Sequence, residues 1–181
     1  MPTEKFAVLF PGIGYHADKP LLYYPHKLLR ARGYAVMPLS YGSLPQDKQG
    51  AFDTALSAAR AALDAVDWRA YNDILFVSKS LGTCVSGVLA RELKAVHPDL
   101  PLRQVLLTPV TETLPLIAAP AVAFSGTADP LVEQSALEAT CRTAGVSLFR
   151  YPDANHSIET GDVARDLDTV KDILHRIADF L

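Results

Sequence analysis

Short apolar runs alternate along the chain with longer stretches in which apolar residues recur at helical spacing. The short runs predict strands, because β-branched and aromatic residues concentrate in them. The predicted strands are residues 6–10, 34–39, 73–78, 104–108, 121–125 and 147–151. Most of these runs are continuously apolar rather than alternating, which is typical of strands that are buried on both faces of a parallel sheet.

The stretches between the strands predict helices. They are residues 21–32, 52–66, 81–96, 131–144 and 163–181. Gly33 and Gly145 directly follow two of them and are typical of helix ends. Strict alternation of strand and helix favours an α/β fold, a doubly wound parallel sheet with helices on both faces, since crossover connections are right-handed.

Length and composition narrow the class of protein. The chain has 181 residues, of which 49% are hydrophobic and 20% charged. This is the make-up of a globular protein, and we expect a single domain spanning residues 1–181. A net charge of −3 provides no basic surface for nucleic acid, so we expect no nucleic-acid partner. Net charge does not exclude a neutral or cationic small substrate.

Three features of the sequence favour a cytoplasmic location. The apolar run near the amino terminus is too short for a signal-peptide core and breaks at Pro11-Gly12. No segment approaches the roughly 20 apolar residues that span a bilayer, so we expect no membrane association. Cys84 and Cys141 are too few for a disulfide framework, and we expect two buried or half-buried free thiols in a reducing compartment.

The third predicted strand runs directly into Ser78-Lys79-Ser80-Leu81-Gly82, and a helix follows. A nucleophile elbow has this form: a strand, a sharp turn that exposes a serine, and a helix. The close approach of strand and helix requires small residues two positions before and after the serine, and Ser78 and Gly82 meet that demand. Ser78 departs from the usual glycine. The alternative is that Ser80 only caps the helix. We expect Lys79 to be solvated or paired with a carboxylate.

A base and an acid for Ser80 lie at the ends of later strands. His156 follows the last strand and Asp129 follows the fifth, so both share the carboxyl edge of the sheet with Ser80. The order Ser80, Asp129, His156 is that of an α/β-hydrolase catalytic triad. Asp129 precedes Pro130, so it also suits a helix N-cap. Asp153 is the alternative acid, although its position is more typical of a turn.

An acyl-transfer reaction also needs N–H groups that stabilise the negatively charged oxygen of its intermediate. One candidate is the backbone N–H of Leu81, directly after the nucleophile. The second is expected in the loop after the first strand, from Ile13, with Gly14 as the alternative. Because glycines allow close approach of the backbone, we expect Gly12, Gly14 and Tyr15 to border the substrate.

The same loop has an alternative interpretation as a glycine turn that cradles a phosphate. A nucleotide-binding G-x-G-x-x-G motif requires a third glycine, and Ala17 occupies that position after Gly12 and Gly14. A flavodoxin-like nucleotide-binding domain is therefore kept as a minor alternative.

Through these residues and motifs the chain resembles the α/β-hydrolase superfamily. More narrowly, it resembles the short bacterial members related to dienelactone hydrolases. The matching segments span nearly the whole chain: PGIGYHADKPLLYY, SKSLG, SGTADPLV and PDANHS. The resemblance implies a mostly parallel six-stranded sheet in the order 2-1-3-4-5-6, without the first two strands of the superfamily core. Residues 109–120 stand where a cap domain would follow, so it also implies an open, capless site.

The implied function is a serine hydrolase that cleaves a small carboxylic ester or thioester through Ser80, His156 and Asp129. This chemistry needs neither cofactor nor metal, so we expect none. A catalytically silent binding protein with the same fold is the alternative, because fold alone does not establish function. The acyl group, the leaving group and the oligomeric state stay open, with a homo-oligomer among the alternatives.

Overall fold

A computed structural model describes residues 4–181, in which strands and helices alternate as predicted. The strands are β1 (Lys5–Phe10), β2 (Ala35–Pro38), β3 (Asp73–Lys79), β4 (Leu102–Leu107), β5 (Ala121–Gly126) and β6 (Ser147–Tyr151). The α-helices are α1 (Pro20–Ala31), α2 (Lys48–Leu63), α3 (Leu81–Val96), α4 (Gln134–Ala144) and α5 (Val163–Phe180). Short 3₁₀ helices cover Trp68–Ala70 and Thr111–Leu116.

All six strands form one parallel sheet in the order β2-β1-β3-β4-β5-β6, which confirms the predicted order. From β1 the chain moves outward to β2 and then returns across β1 to β3. The chain therefore adds β2 on one side of β1 and all later strands on the other side. Ligands bind beside the carboxyl ends of the strands at the point where this direction changes, which lies between β1 and β3. Phe10 and Ser78 are paired in register at this edge.

Helices cover both faces of the sheet, as predicted. Helices α1 and α5 pack together on one face, and α2 and α3 pack together on the other. The residues of β1 and β3 alternate between the two apolar layers, with Leu9 and Val77 in one and Phe10 and Phe76 in the other. Strands covered on both sides expose no polar face, which explains their continuous apolar runs.

Two helices begin three or four residues away from the predicted position, and side-chain caps explain both. Helix α2 begins at Lys48 rather than 52, because the Asp47 carboxylate accepts the Gly50 N–H at 2.6 Å. Helix α4 begins at Gln134 rather than 131, because Glu133 caps it and accepts the Ser135 N–H at 3.1 Å. Each cap satisfies N–H groups that lack a partner within the helix.

The connection between β4 and β5 contains the 3₁₀ helix Thr111–Leu116 and no added domain, as the capless prediction requires. Thr113 is buried in this connection, and its hydroxyl lies 2.6 Å from that of Thr83 in α3. The connection therefore lies against the start of α3, beside Ser80.

Both cysteines are buried free thiols, as the sequence predicts. Across residues 4–181, no helix combines the length and the apolar character needed to cross a bilayer.

Candidate active site

Ser80 occupies a sharp turn between β3 and α3, with backbone angles φ 55° and ψ −122°. A positive φ is uncommon for residues other than glycine and has a conformational cost. Hydrogen bonding to β4 holds the turn in place, since the Ser80 N–H donates to the Leu107 carbonyl at 3.0 Å. The Ser80 side chain makes no capping bond to α3, so the helix-cap alternative does not describe it.

Small residues flank this turn for steric reasons that the structure makes explicit. A Cβ atom at Gly82 would lie 2.2 Å from the Phe10 carbonyl oxygen and 2.6 Å from that of Pro11. Helix α3 therefore begins in direct contact with the end of β1. Ser78 fits where the usual motif has glycine, because it is fully buried and its hydroxyl donates to the Val105 carbonyl at 3.2 Å.

The structure brings Ser80, His156 and Asp129 into one hydrogen-bonded chain. His156 Nε2 lies 2.8 Å from Ser80 Oγ, and His156 Nδ1 lies 2.7 Å from Asp129 Oδ2. A carboxylate only accepts hydrogen bonds, so Nδ1 carries the proton and Nε2 is the acceptor for the serine hydroxyl. Asp129 is only 4% exposed, and His156 is half-buried.

Backbone contacts between two loops set the distance from Asp129 to His156. The Thr127 N–H donates to the Tyr151 carbonyl at 2.9 Å, and the Ala128 N–H donates to the Ala154 carbonyl at 3.0 Å. These bonds join the loop after β5 to the loop after β6. Gly126 is required at this junction, because a Cβ atom there would lie 2.1 Å from the Ala154 carbonyl oxygen.

Alanine at Gly126 is therefore expected to lower the free energy of unfolding by about 3 kcal/mol or more, since the clash involves backbone on both sides. Urea denaturation would measure the loss. Gly145→Ala is the matched control: Gly145 has φ 69° but no heavy atom of the described residues within 4 Å of an added Cβ. Backbone strain alone should lower the free energy of unfolding of Gly145→Ala by about 1 kcal/mol. Equal losses in the two variants would contradict the packing argument.

Of the two candidate acids, the structure brings only Asp129 to His156. The second carboxylate oxygen of Asp129 accepts the Leu131 N–H at 2.9 Å, which fixes the orientation of the group. Asp153 is in a turn with φ 61°, its side chain is 80% exposed, and it lies 3.3 Å from the Arg165 guanidinium. Asp129 also caps no helix, because α4 begins later.

The loop after β1 forms a tight turn beside the nucleophile. The Gly12 N–H donates to the Tyr15 carbonyl at 3.1 Å, and the Tyr15 N–H donates to the Gly12 carbonyl at 3.3 Å. A Cβ atom at Gly12 would lie 3.0 Å from Ser80 Cβ, so glycine is needed for this approach. Among the described residues, no hydrogen bond uses the N–H of Ile13 or of Leu81. Their role in stabilising an anionic oxygen stays a prediction.

Gly12, Gly14 and Tyr15 were predicted to border the substrate, and that role stays a prediction. Gly14 adopts φ 64° and shapes the turn. The Tyr15 hydroxyl accepts the Leu21 N–H at 3.0 Å, and burial raises the pKa of Tyr15 to about 12. Gly12 lies beside Ser80. None of the three lines the cavity at Ser80, because the turn presents Ile13 to it instead.

A cavity of about 440 Å³ opens at Ser80. Its walls come from the loop after β1, the first turns of α2 and α3, the β4–β5 connection and the loop after β5. Most of the wall is apolar, and its apolar residues are Ile13, Phe52, Leu81, Val110, Leu116 and Leu131. Lys48 and Glu112 also border it and form an exposed ion pair at 3.5 Å. Sequence patterns did not predict this wall, because its residues come from five separate segments.

Lys79 departs most from the sequence-based expectation. It was predicted to be solvated or paired with a carboxylate, but it is only 1% exposed. None of the ion pairs formed within residues 4–181 includes it. The polar neighbours in its own segment gave no sign of this burial.

The donor groups of the site do not suggest a metal. Within residues 4–181, no three His, Cys, Asp or Glu side chains converge in a way that could hold a metal ion.

No protein-family model and no curated protein matches this sequence. Several solved structures match the fold of this chain. The α/β serine hydrolase homologue from Coxiella burnetii is 15% identical, with a TM-score of 0.67 over 96% of this chain and 85% of that one. Est1E from Butyrivibrio proteoclasticus is 12% identical, with a TM-score of 0.68 over 97% and 88%. XC6422 from Xanthomonas campestris, described as an α/β serine hydrolase without lid, is 18% identical, with a TM-score of 0.63 over 99% and 83%.

Strand order, elbow and structural similarity agree on the class of fold. The chain has the α/β-hydrolase fold in a form without a cap domain, which confirms the resemblance at the level of the fold.

Proposed function

We propose that this protein is a serine hydrolase that cleaves a carboxylic ester or thioester. The observation that carries the proposal is the continuous hydrogen-bonded chain from Ser80 Oγ through His156 to Asp129, at 2.8 and 2.7 Å. A serine hydroxyl is a weak nucleophile until an adjacent base takes its proton. Ser80 lines a cavity, which gives a substrate carbonyl access to it.

In this mechanism Ser80 Oγ attacks the carbonyl carbon while His156 Nε2 takes the hydroxyl proton. Asp129 holds the imidazole in the required tautomer and stabilises the imidazolium that forms. His156 then returns the proton to the alcohol or thiol leaving group, and the carbon–oxygen or carbon–sulfur bond breaks. Water then attacks the acyl-enzyme while His156 Nε2 takes one of its protons. His156 passes this proton to Ser80 Oγ as the bond between Oγ and the acyl carbon breaks, which releases the acid and regenerates Ser80.

The anionic oxygen of the tetrahedral intermediate requires preorganised donors. The N–H groups of Leu81 and Ile13 are our candidates, because each adjoins Ser80 in sequence or in space and neither has another partner among the described residues. Gly14 is the alternative to Ile13. Removal of one such donor typically costs about 10²- to 10³-fold in kcat.

The cavity walls favour an apolar acyl group of medium size. Six apolar side chains line the cavity, and its volume of about 440 Å³ exceeds what an acetyl group fills. Est1E, one of the similar structures, has been solved with ferulic acid bound, which is an aromatic carboxylic acid. We therefore propose butyryl to octanoyl or aryl-acyl esters as substrates, with the leaving group exposed to solvent.

Hydrolysis of a p-nitrophenyl ester series from acetate to dodecanoate tests this proposal. The wild type should prefer the medium chains, because each buried CH₂ contributes about 0.8 kcal/mol until the cavity is full. Leu116→Trp should fill the cavity and lower kcat/KM for octanoate about 10-fold or more relative to acetate.

Leu167→Trp, on the exposed face of α5, is the control and should leave the chain-length profile unchanged. A profile that is flat in the wild type, or identical in Leu116→Trp, would contradict the assignment of this cavity to the acyl group.

A further inference from the structure

Lys79 is the last residue of β3 and directly precedes the nucleophile. Because side chains alternate across a strand, Lys79 points to the same face of the sheet as Val77. That face is the apolar layer beneath α1 and α5, and Tyr15 packs against it. The ammonium group is thus held inside the protein, behind the elbow, on the side of the sheet opposite the cavity wall formed by Leu81.

The groups that face this ammonium come from three separate loops. Its Nζ atom lies 4.8 Å from the centroid of the Tyr15 ring, a cation–π contact with the turn after β1. Asp129, after β5, and Glu159, after β6, attract it at longer range. These are the loops that carry the acid, the base and the candidate oxyanion donor.

We propose that the Lys79 ammonium is a positioning group that holds the Gly12–Tyr15 turn against the elbow, so that the proposed acyl transfer depends on its charge. The inference rests on the proposed function and adds a role for a residue that does not touch the substrate. Tyr15 is the link: its ring lies against Lys79, and its hydroxyl accepts the Leu21 N–H at 3.0 Å. Both contacts hold Tyr15, the last residue of the turn that presents Ile13.

Holding this charge in the interior costs stability. Burial lowers the pKa of Lys79 to about 8, against the attraction of Asp129 and Glu159. At pH values between the pKa of Lys79 in the folded protein and its pKa in the unfolded chain, the unfolded chain binds more protons. The contribution of this group to the free energy of unfolding therefore rises with pH above about 8. At pH 7 the charged form is the destabilising one. A neutral side chain of similar length should therefore raise the melting temperature at pH 7.

The change in Tm on replacing Lys79 distinguishes a positioning role of this residue from a purely structural one. Lys79→Met should raise the Tm at pH 7 by several degrees, with the gain shrinking toward pH 10. The same variant should react with a fluorophosphonate probe about 10-fold more slowly at pH 7, because the cation–π contact and the charge are lost. A residue that served packing alone would lower the Tm when replaced.

The probe reaction also has an expected pH profile. In the wild type the labelling rate should fall above about pH 8 as Lys79 loses its proton, and approach that of Lys79→Met by pH 10. Lys79→Met should show no such fall. Ionisation of Tyr15 does not interfere in this range, because its pKa is raised to about 12.

Two substitutions of Tyr15 serve as a matched pair. Tyr15→Leu removes the ring face and should slow labelling in the same way as Lys79→Met. Tyr15→Phe keeps the ring face and should retain the alkaline fall. If the probe labels Lys79→Met within twofold of the wild-type rate, or if the labelling rate of this variant still falls above about pH 8, the positioning role of Lys79 is overturned. The proposed function would stand in either case. A wild type that the probe does not label would overturn the proposed function and this role together.

Discussion

Ser80→Ala is expected to lower kcat for ester hydrolysis by roughly 10⁴- to 10⁶-fold, because the variant has no atom that forms the acyl-enzyme. The fold should persist, since the Ser80 side chain makes no capping bond to α3 and, within residues 4–181, hydrogen-bonds only to His156. The residual rate should reflect binding and oxyanion stabilisation alone. Steady-state kinetics on p-nitrophenyl butyrate would measure the loss, and thermal unfolding would verify the fold.

Ser157→Ala is the matched control for that variant. Ser157 is adjacent to His156 in sequence, but the mechanism does not use its hydroxyl, so its kcat should stay within about twofold of the wild type. Activity of Ser80→Ala within tenfold of the wild type would remove Ser80 from the reaction.

Asp129→Asn is expected to lower kcat by about 10⁴-fold, and the hydrogen bonds around Asp129 explain why. Oδ1 accepts the Leu131 N–H, and this bond would keep the asparagine oxygen on the same side. The amide NH₂ would then face His156 Nδ1, which would have to become an acceptor. The imidazole proton would move to Nε2, so His156 could no longer take the proton of Ser80.

Asp153→Asn provides the comparison for this prediction. Asp153 is exposed, and asparagine tolerates its positive φ of 61°, so the change should leave kcat nearly unaltered. A large loss in Asp153→Asn with a small one in Asp129→Asn would make Asp153 the acid instead. Ester hydrolysis by the two purified variants at neutral pH distinguishes these outcomes.

The architecture could be predicted because few folds are compatible with its pattern. Six apolar runs separated by helical stretches require a covered parallel sheet, and right-handed crossovers limit the strand order. Helix ends were less predictable. The starts of α2 and α4 depend on the Asp47 and Glu133 side chains, whose capping role cannot be distinguished from that of other polar residues nearby.

The meeting of Ser80, Asp129 and His156 was predictable for the same topological reason. Parallel strands bring their carboxyl ends to one edge, so residues directly after β3, β5 and β6 share it. Gly82 and Gly126 leave space where the backbones cross, but only Gly82 belongs to a motif that reveals its role. The need for Gly126 depends on Ala154, which lies 28 positions away.

Surroundings that depend on tertiary packing were not predictable from the sequence. The cavity wall draws on Phe52, Leu116 and Leu131, which no local pattern connects. Lys79 was expected to be solvated or paired with a carboxylate, because lysine side chains are mostly exposed. Its burial depends on the Tyr15 ring, which the turn after β1 places over it. Gly14 and Tyr15 of that turn do not line the cavity at Ser80.

Labelling with a fluorophosphonate probe, followed by mass-spectrometric mapping of the modified peptide, tests the central claim most directly. The wild type should take up one equivalent of the probe, with the phosphonyl group on Ser80 Oγ. Ser80→Ala should take up none, and His156→Ala should react far more slowly, because the base that activates Ser80 is gone. A wild type that stays unmodified while folded, or a label that maps to another residue, would contradict Ser80 as the nucleophile and favour a catalytically silent protein or a different site.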